Sequence, residues 1–231
     1  MIEINNLSKS YGDKKILNQI DLAFESGSIT GIVGPNGAGK TTLIKILAQL
    51  IKPSNGEIRL ISNSKNLSGL KEQIGYLGDE SLLYEHLSPL ENLNFFTKLY
   101  GLNIPEDKVI ELINEVGLNF FRYDPIKTFS KGMIQRLAIA RAIIHQPKIL
   151  LLDEPYSGLD QKGIKLLNNI IRNFKMENRL ILIITHDFEQ AATLCDRIIH
   201  LNRGQIVDDF LMINKNKEFL VNRYESRVDA K

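Results

Sequence analysis

The chain has 231 residues, 43% hydrophobic and 24% charged, a globular composition that excludes a disordered or collagen-like chain. Its 29 Lys+Arg against 27 Asp+Glu leave a formal net charge of +2, which argues against coating nucleic acid by bulk charge. A single cysteine, Cys195, forbids an internal disulfide and fits a reducing compartment.

The chain opens with β-patterning. Ile2-Glu3-Ile4 alternates, Tyr11-Gly12-Asp13 reads as a turn, and Ile16–Phe24 returns as a second strand. Ser28–Val33 is a short apolar strand that ends in Gly34-Pro35-Asn36-Gly37. Helical spacing begins at Thr41, with Leu43, Ile44, Ile46, Leu47 and Leu50 on one face, and stops before the turn Pro53-Ser54-Asn55-Gly56. Glu57–Ile61 is another short strand. From Asp79 to Ile144 the strand patterns vanish, and Leu90–Tyr100, Pro105–Val116 and Ile134–Ile144 read as amphipathic helices. Buried strands return at Ile149–Leu152 and Leu180–Thr185, with a helix at Lys162–Met176 between them. Arg197–Leu201 and Gln205–Asp209 form a hairpin around Asn202-Arg203-Gly204, and the charged tail from Asn214 suits a last helix or a solvated face. The N-terminus MIEINNLSKSYGDKK has no apolar signal core, and no window reaches the roughly 18 apolar residues of a membrane span. The expectation is a soluble cytosolic chain that reaches any membrane through a partner.

Gly34-Pro35-Asn36-Gly37-Ala38-Gly39-Lys40-Thr41, followed by Thr42, fits G-x-x-x-x-G-K-[ST] in full. Glycines let backbone N–H groups converge on phosphate oxygens. Lys40 reaches the β/γ-phosphates, and the Thr41 hydroxyl suits Mg²⁺. The loop follows an apolar strand and opens a helix, whose N-terminal partial charge favours an anion. A Gly-rich turn with no ligand is the weaker reading. Ile149-Leu150-Leu151-Leu152-Asp153-Glu154 places two acids at the end of a buried strand, 113 residues after Lys40. One carboxylate, Asp153, suits Mg²⁺, and the next, Glu154, suits the attacking water.

These motifs, with Asp153-Glu154-Pro155, Ser157-Gly158-Leu159-Asp160 and Thr185-His186-Asp187, occur in the order and spacing of the ATP-binding subunits of ABC transporters. The resemblance runs from Ile2 to about Asp209. It implies an α/β fold: a P-loop NTPase core (1–78 and 145–213), an N-terminal antiparallel β-subdomain, an inserted helical subdomain (79–144) and a tail (214–231). It also implies ATP and Mg²⁺ as ligands, a transmembrane permease subunit and a second ATP-binding subunit as partners, and a cytoplasmic place at the inner face of the cell membrane. Tyr11 matches the aromatic that stacks on adenine, and His186 the switch histidine that contacts the γ-phosphate. Ser130-Lys131-Gly132-Met133 falls where the family's signature belongs, so Ser130 and Gly132 would close over the nucleotide of the other subunit.

Two departures stand out. The signature reads Phe129-Ser130-Lys131-Gly132-Met133, keeping only the serine and the second glycine of the family's LSGGQ. At the Q-loop, where the family usually ends in proline-glutamine, this chain has Ile74-Gly75-Tyr76-Leu77-Gly78-Asp79, which puts Asp79 beside the expected Mg²⁺. His86 and His145 have no motif around them and read as surface or helix-end residues. Cys195 reads as a buried thiol in a helical run. The wording around Tyr76–Ser81, Leu90–Leu93 and Leu99–Leu102 looks like exporter-type subfamilies, the ABC-2 drug and lipid exporters or the haem exporters. A soluble ABC protein acting on nucleic acid or ribosomes is the alternative. One phosphate loop, a compact interval between the motifs, near-neutral charge and the lack of cysteine pairs all weigh against it.

Overall fold

Two sheets organise the chain in the computed structural model, which describes residues 2–60 and 71–228. Ile61 and residues 229–231 of the expected strand and tail lie outside the described residues.

The smaller sheet is antiparallel, in the order β2-β1-β4, from β1 (Ile2–Tyr11), β2 (Lys14–Phe24) and β4 (Asn55–Leu60). Its β1–β2 register runs from Ile2 opposite Phe24 to Tyr11 opposite Lys14, so the expected hairpin is present. Ile4, Leu7, Leu17, Ile20 and Phe24 turn one face inward and are fully buried.

The larger sheet runs β5-β6-β7-β3-β8-β9, from β3 (Ile29–Val33), β5 (Ile74–Leu77), β6 (Ile149–Asp153), β7 (Leu180–Ile184), β8 (Arg197–Asn202) and β9 (Gln205–Leu211). All neighbours are parallel except β9, which folds back on β8. The central strands are buried on both faces, which explains their continuous apolar runs. Ile149 and Leu151 pack toward the small sheet, while Leu150 and Leu152 pack toward the opposite layer of helices. Sequence patterning did not reveal β5. At the sheet edge, four residues long and with Gly75 inside, it is too short for a period to register.

Among the described residues seven α-helices complete the fold: α1 (Lys40–Leu47), α2 (Pro89–Leu99), α3 (Glu106–Glu115), α4 (Lys131–Ile143), α5 (Gln161–Met176), α6 (Phe188–Leu194) and α7 (Lys217–Val228). Between Asp79 and Ile144 the described residues contain helices and no strand, as expected. Caps set several of the helix starts. Ser88 and Glu91 form a reciprocal capping box on α2, and the Asp160 carboxylate accepts the Gly163 N–H at 2.7 Å. The Ser130 hydroxyl accepts the Met133 N–H at 3.3 Å, so α4 starts at Lys131 rather than at the expected Ile134.

One expectation needs correction. The tail forms the expected last helix, α7, but it is not simply a solvated face, because one side of α7 packs back on the core. Leu220 is buried, the Tyr224 ring lies 4.7 Å from His200 and 4.9 Å from Phe188, and Arg223 pairs with Asp208 at 2.6 Å. His145 lies at a helix end, as expected, in the turn just past α4, where it is half-buried and stacks on Tyr100 at 4.4 Å. His86 is exposed and Cys195 is buried, both as expected. Burial in apolar surroundings pushes the Cys195 thiol up to about 12.

Candidate active site

β6, β7 and β3 lie side by side and parallel, so their carboxyl ends open on one edge of the sheet. Gly34–Gly39 leaves β3, Asp153-Glu154 ends β6, and Thr185-His186 follows β7. Sequence-distant motifs therefore meet because three strands share a direction. A cavity of about 330 Å³ lies there, lined by Asn36, Gly37, Ala38, Gly39, Lys40, Thr41, Thr42, Asp79, Asp153, Glu154 and Ile184, with Lys14 and Ile16 reaching in from β2.

Gly39, the residue before α1, has φ +106, and a Cβ there would stand 2.8 Å from Leu17 Cδ2 and 2.9 Å from the Ile16 carbonyl. Only glycine lets the loop pass that close beneath β2. The first turn of α1 carries no acidic residue, so its free N–H groups face the cavity uncompensated. Lys40 Nζ donates to the Gly34 and Pro35 carbonyls at 2.8 and 3.1 Å, folding the ammonium over its own loop. Burial lowers its pKa, and the charges of Glu154 and Asp153 oppose that.

Asp153 is 3% exposed, and burial raises its carboxyl to about 6, with Asp79 and Glu154 adding repulsion. A hydrogen bond from the Thr41 hydroxyl and the charge of Lys40 pull the other way. Its Oδ2 is buried without a hydrogen-bond partner among the described residues. An orphaned carboxylate oxygen beside a hydroxyl and a second carboxylate, Asp79, is a hard-oxygen donor set that suits Mg²⁺. Exposed Asp79 lines the same cavity and acts on Asp153, so the Q-loop departure puts an acid at the site.

Glu154 holds a left-handed backbone, φ 48, which is strained for a non-glycine residue. Its N–H donates to the Ile184 carbonyl at 2.9 Å, pinning it between β6 and β7. Its Oε2 accepts from His186 Nδ1 at 2.9 Å, and the His186 side chain is 86% exposed. Glu154 and His186 are therefore already in contact.

The remaining expected residues stand outside the cavity. Tyr11 is 53% exposed at the hairpin end, with Lys9 Nζ 4.9 Å from its ring centre. Its cross-strand partner Lys14 lines the cavity instead. Ser130 and Gly132 sit at the start of α4 and do not line it. Sequence reasoning missed Lys14 and Ile16. Their place in the hairpin register opposite the Tyr11 turn was the available signal.

Residues 17–157 match the family model described as ABC transporter. The chain is 39% identical over 207 residues to the lantibiotic transport ATP-binding protein SrtF of Streptococcus pyogenes, covering 90% of this chain and 89% of that one. It is 38% identical over 216 residues to the ABC transporter ATP-binding protein NatA of Bacillus subtilis (90% and 88% covered). With the bacitracin transport ATP-binding protein BcrA of Enterococcus faecalis it shares 35% over 212 residues (90% and 68%). Among solved structures, an ATP-binding subunit of an ABC transporter superposes with a TM-score of 0.88 at 27% identity, covering 99% of this chain and 100% of that one. The dimeric, post-hydrolysis state of the ATP-binding cassette MJ0796 bound to ADP and Pi superposes with 0.79 at 26% identity (92% and 99%). With Gly34–Thr42, Asp153, Glu154 and His186 meeting at one edge and with these matches, the chain belongs to the ABC transporter family, as one of its ATP-binding, ATP-hydrolysing subunits.

Proposed function

We propose that this subunit drives an exporter by closing head to tail on a second copy, at the inner face of the cell membrane beneath a transmembrane permease. The observation that carries the chemistry is the convergence of Lys40, Thr41, Asp153 and Glu154 on one cavity at the carboxyl ends of β3 and β6. Lys40 exchanges its bonds to the Gly34 and Pro35 carbonyls for β/γ-phosphate oxygens, and the backbone N–H groups of Asn36–Thr42 hold the rest of the phosphate chain. Tyr11 stacks on adenine from the hairpin end. Glu154 accepts a proton from the water that attacks the γ-phosphorus, and the P–O bond to ADP breaks. His186, steadied by Glu154, reaches the γ-phosphate. Thr41 and Asp153, with Asp79 alongside, would hold Mg²⁺, which when bound would supply positive charge against the phosphate chain. Ser130 and Gly132 complete the partner's site, which explains why they stand away from this chain's own cavity.

In this reading residues 1–78 and 145–213 form the catalytic core, 79–144 the helical subdomain that faces the permease, and 214–231 a tail. Among the described residues no helix is long and apolar enough to cross a membrane, so the membrane passage belongs to the partner. The relatives named for lantibiotic and bacitracin transport support export of an antibiotic of that kind over haem.

Two measurements test the proposal. In a Glu154→Gln background ATP should drive a stable dimer, and adding Gly132→Asp should abolish the dimer while each chain still binds ATP. A dimer that survives Gly132→Asp removes the signature from the partner's site. The chain purified from membranes should carry a membrane-spanning partner, and inside-out vesicles holding the pair should accumulate such an antibiotic when ATP is added. Vesicles that instead lose preloaded antibiotic on ATP addition would overturn export.

A further inference from the structure

The signature helix and the Asp79 segment are joined by a clamp that the mechanism above does not use. Among the described residues β5 is the outer strand of the large sheet, with β6 on one side only. Carbonyls two residues apart along a strand point the same way, and those of Ile74 and Tyr76 both receive side chains, one from the last turn of α4 and one from the turn just past it. Arg141 Nη2 donates to the Tyr76 carbonyl at 2.8 Å, and His145 Nε2 to the Ile74 carbonyl at 3.1 Å. The two donors are four residues apart, about 6 Å along a helix, and the two acceptors are two residues apart, about 6.6 Å along a strand. The repeats match. Between the two bonds the backbones touch: a Cβ on Gly75 would stand 2.2 Å from the Ala142 carbonyl oxygen.

Arg141 has an unusual setting. It is 4% exposed, no carboxylate pairs with it among the described residues, and its Nε has no hydrogen-bond partner. Its guanidinium lies 5.7 Å from the centre of the Phe96 ring on α2. A buried cation answered only by a neutral carbonyl and a ring face is costly, so packing alone does not account for it. His145 stacks on Tyr100, one turn past Phe96 at the same end of α2, and among the described residues its Nδ1, an acceptor in the tautomer that donates from Nε2, has no hydrogen-bond partner.

We propose that Arg141 and His145 are positioning residues that bolt α4 to β5, so that engagement of Ser130 by the partner subunit's nucleotide is transmitted to Asp79 in this chain's own site. α4 carries Ser130 at one end and the clamp at the other, and β5 runs through Gly78 into Asp79 on the cavity wall. The inference rests on the proposed roles of Ser130 and Asp79.

Steady-state ATPase of the full chain tests it through a double-mutant cycle. His145→Phe keeps a ring for Tyr100 but loses the donor. It should lower kcat roughly fivefold and leave KM for ATP within about twofold. His145→Gln, whose amide reaches the Ile74 carbonyl, should restore most of that loss. Asp79→Ala with His145→Phe should be no slower than Asp79→Ala alone, because both act at one point. Losses that multiply would refute transmission through Asp79 while leaving the Asp79 assignment intact. If Asp79→Ala alone left kcat unchanged, the Asp79 assignment and the route through it would both fall. Wild-type kcat in His145→Phe would remove His145 from the clamp. Arg141→Gln in the same cycle should behave as His145→Phe does, and the His145 pair decides the question if Arg141 variants do not fold.

Discussion

Replacing Glu154 by glutamine separates proton acceptance from everything else this residue does. The side chain keeps its shape, and the backbone stays pinned because the N–H to the Ile184 carbonyl is untouched. The amide oxygen can still accept from His186 Nδ1, so the 2.9 Å contact that steadies the histidine survives. What disappears is a carboxylate able to take a proton from water. Loss of a positioned general base costs on the order of 10²–10⁴-fold, or about 3–5 kcal/mol of barrier. Binding should move the other way. Glu154 is among the negative groups acting on both Lys40 and Asp153, and neutralising it removes repulsion against an incoming triphosphate. The expected outcome is phosphate release reduced at least about a hundredfold at saturating Mg·ATP, with ATP affinity unchanged or tighter. Size-exclusion chromatography in ATP should then show an accumulated dimer. A kcat within about threefold of wild type would refute the base assignment, because no base loss is that mild.

Lys40→Ala leaves the phosphates without their cation, so equilibrium binding should show ATP affinity down by roughly tenfold or more, and unchanged affinity would unseat the phosphate-loop assignment. Gly75→Ala forces a methyl to within 2.2 Å of the Ala142 carbonyl oxygen, so α4 must move off β5. Such overpacking costs about 1–3 kcal/mol, lowering Tm by about 2–4 °C per kcal/mol, and a melt identical to wild type would contradict the backbone contact. The Arg223 hydrogen bond is the main cause that holds the Asp208 carboxyl below the usual range. A depressed folded pKa contributes stability that is present above the unfolded value, near 3.9, and is lost as pH falls through the folded one. Asp208→Asn should therefore lower Tm at pH 7 by an amount worth about 1 kcal/mol, and that difference should close in acid. A gap that persists unchanged below pH 3 would count against the pair.

How much of this was legible beforehand depended on how local each feature is. The phosphate loop is one continuous segment, and its glycines are demanded by the loop's own path, so Gly34–Thr42 could be read directly. Asp153 and Glu154 were legible because a strand buried on both faces leaves an unmistakable apolar run before them. The helical block announced itself by its period, at Leu90–Tyr100, Pro105–Val116 and Ile134–Ile144, whereas the Ser88–Glu91 capping box came to light only in the fold. The expected start of α4 missed by three residues because apolar spacing marks where a helix packs, whereas Ser130 marks where its N–H groups need an acceptor.

The sequence by itself therefore determined the family, the order of elements and the phosphate chemistry, all of which reside in short segments whose residue types follow from their own backbone. Only the tertiary structure decided which side chains share a wall. Lys14 and Ile16 reach the cavity while Tyr11 stands outside it, and Asp79 lines it through an edge strand too short to read. The tail folds back through Tyr224 and Arg223, and Arg141 meets a carbonyl 65 residues away. Each of these contacts joins segments distant in the chain. Their energies come from burial and from pairing of otherwise orphaned polar groups, which exist only once the sheets and helices have packed.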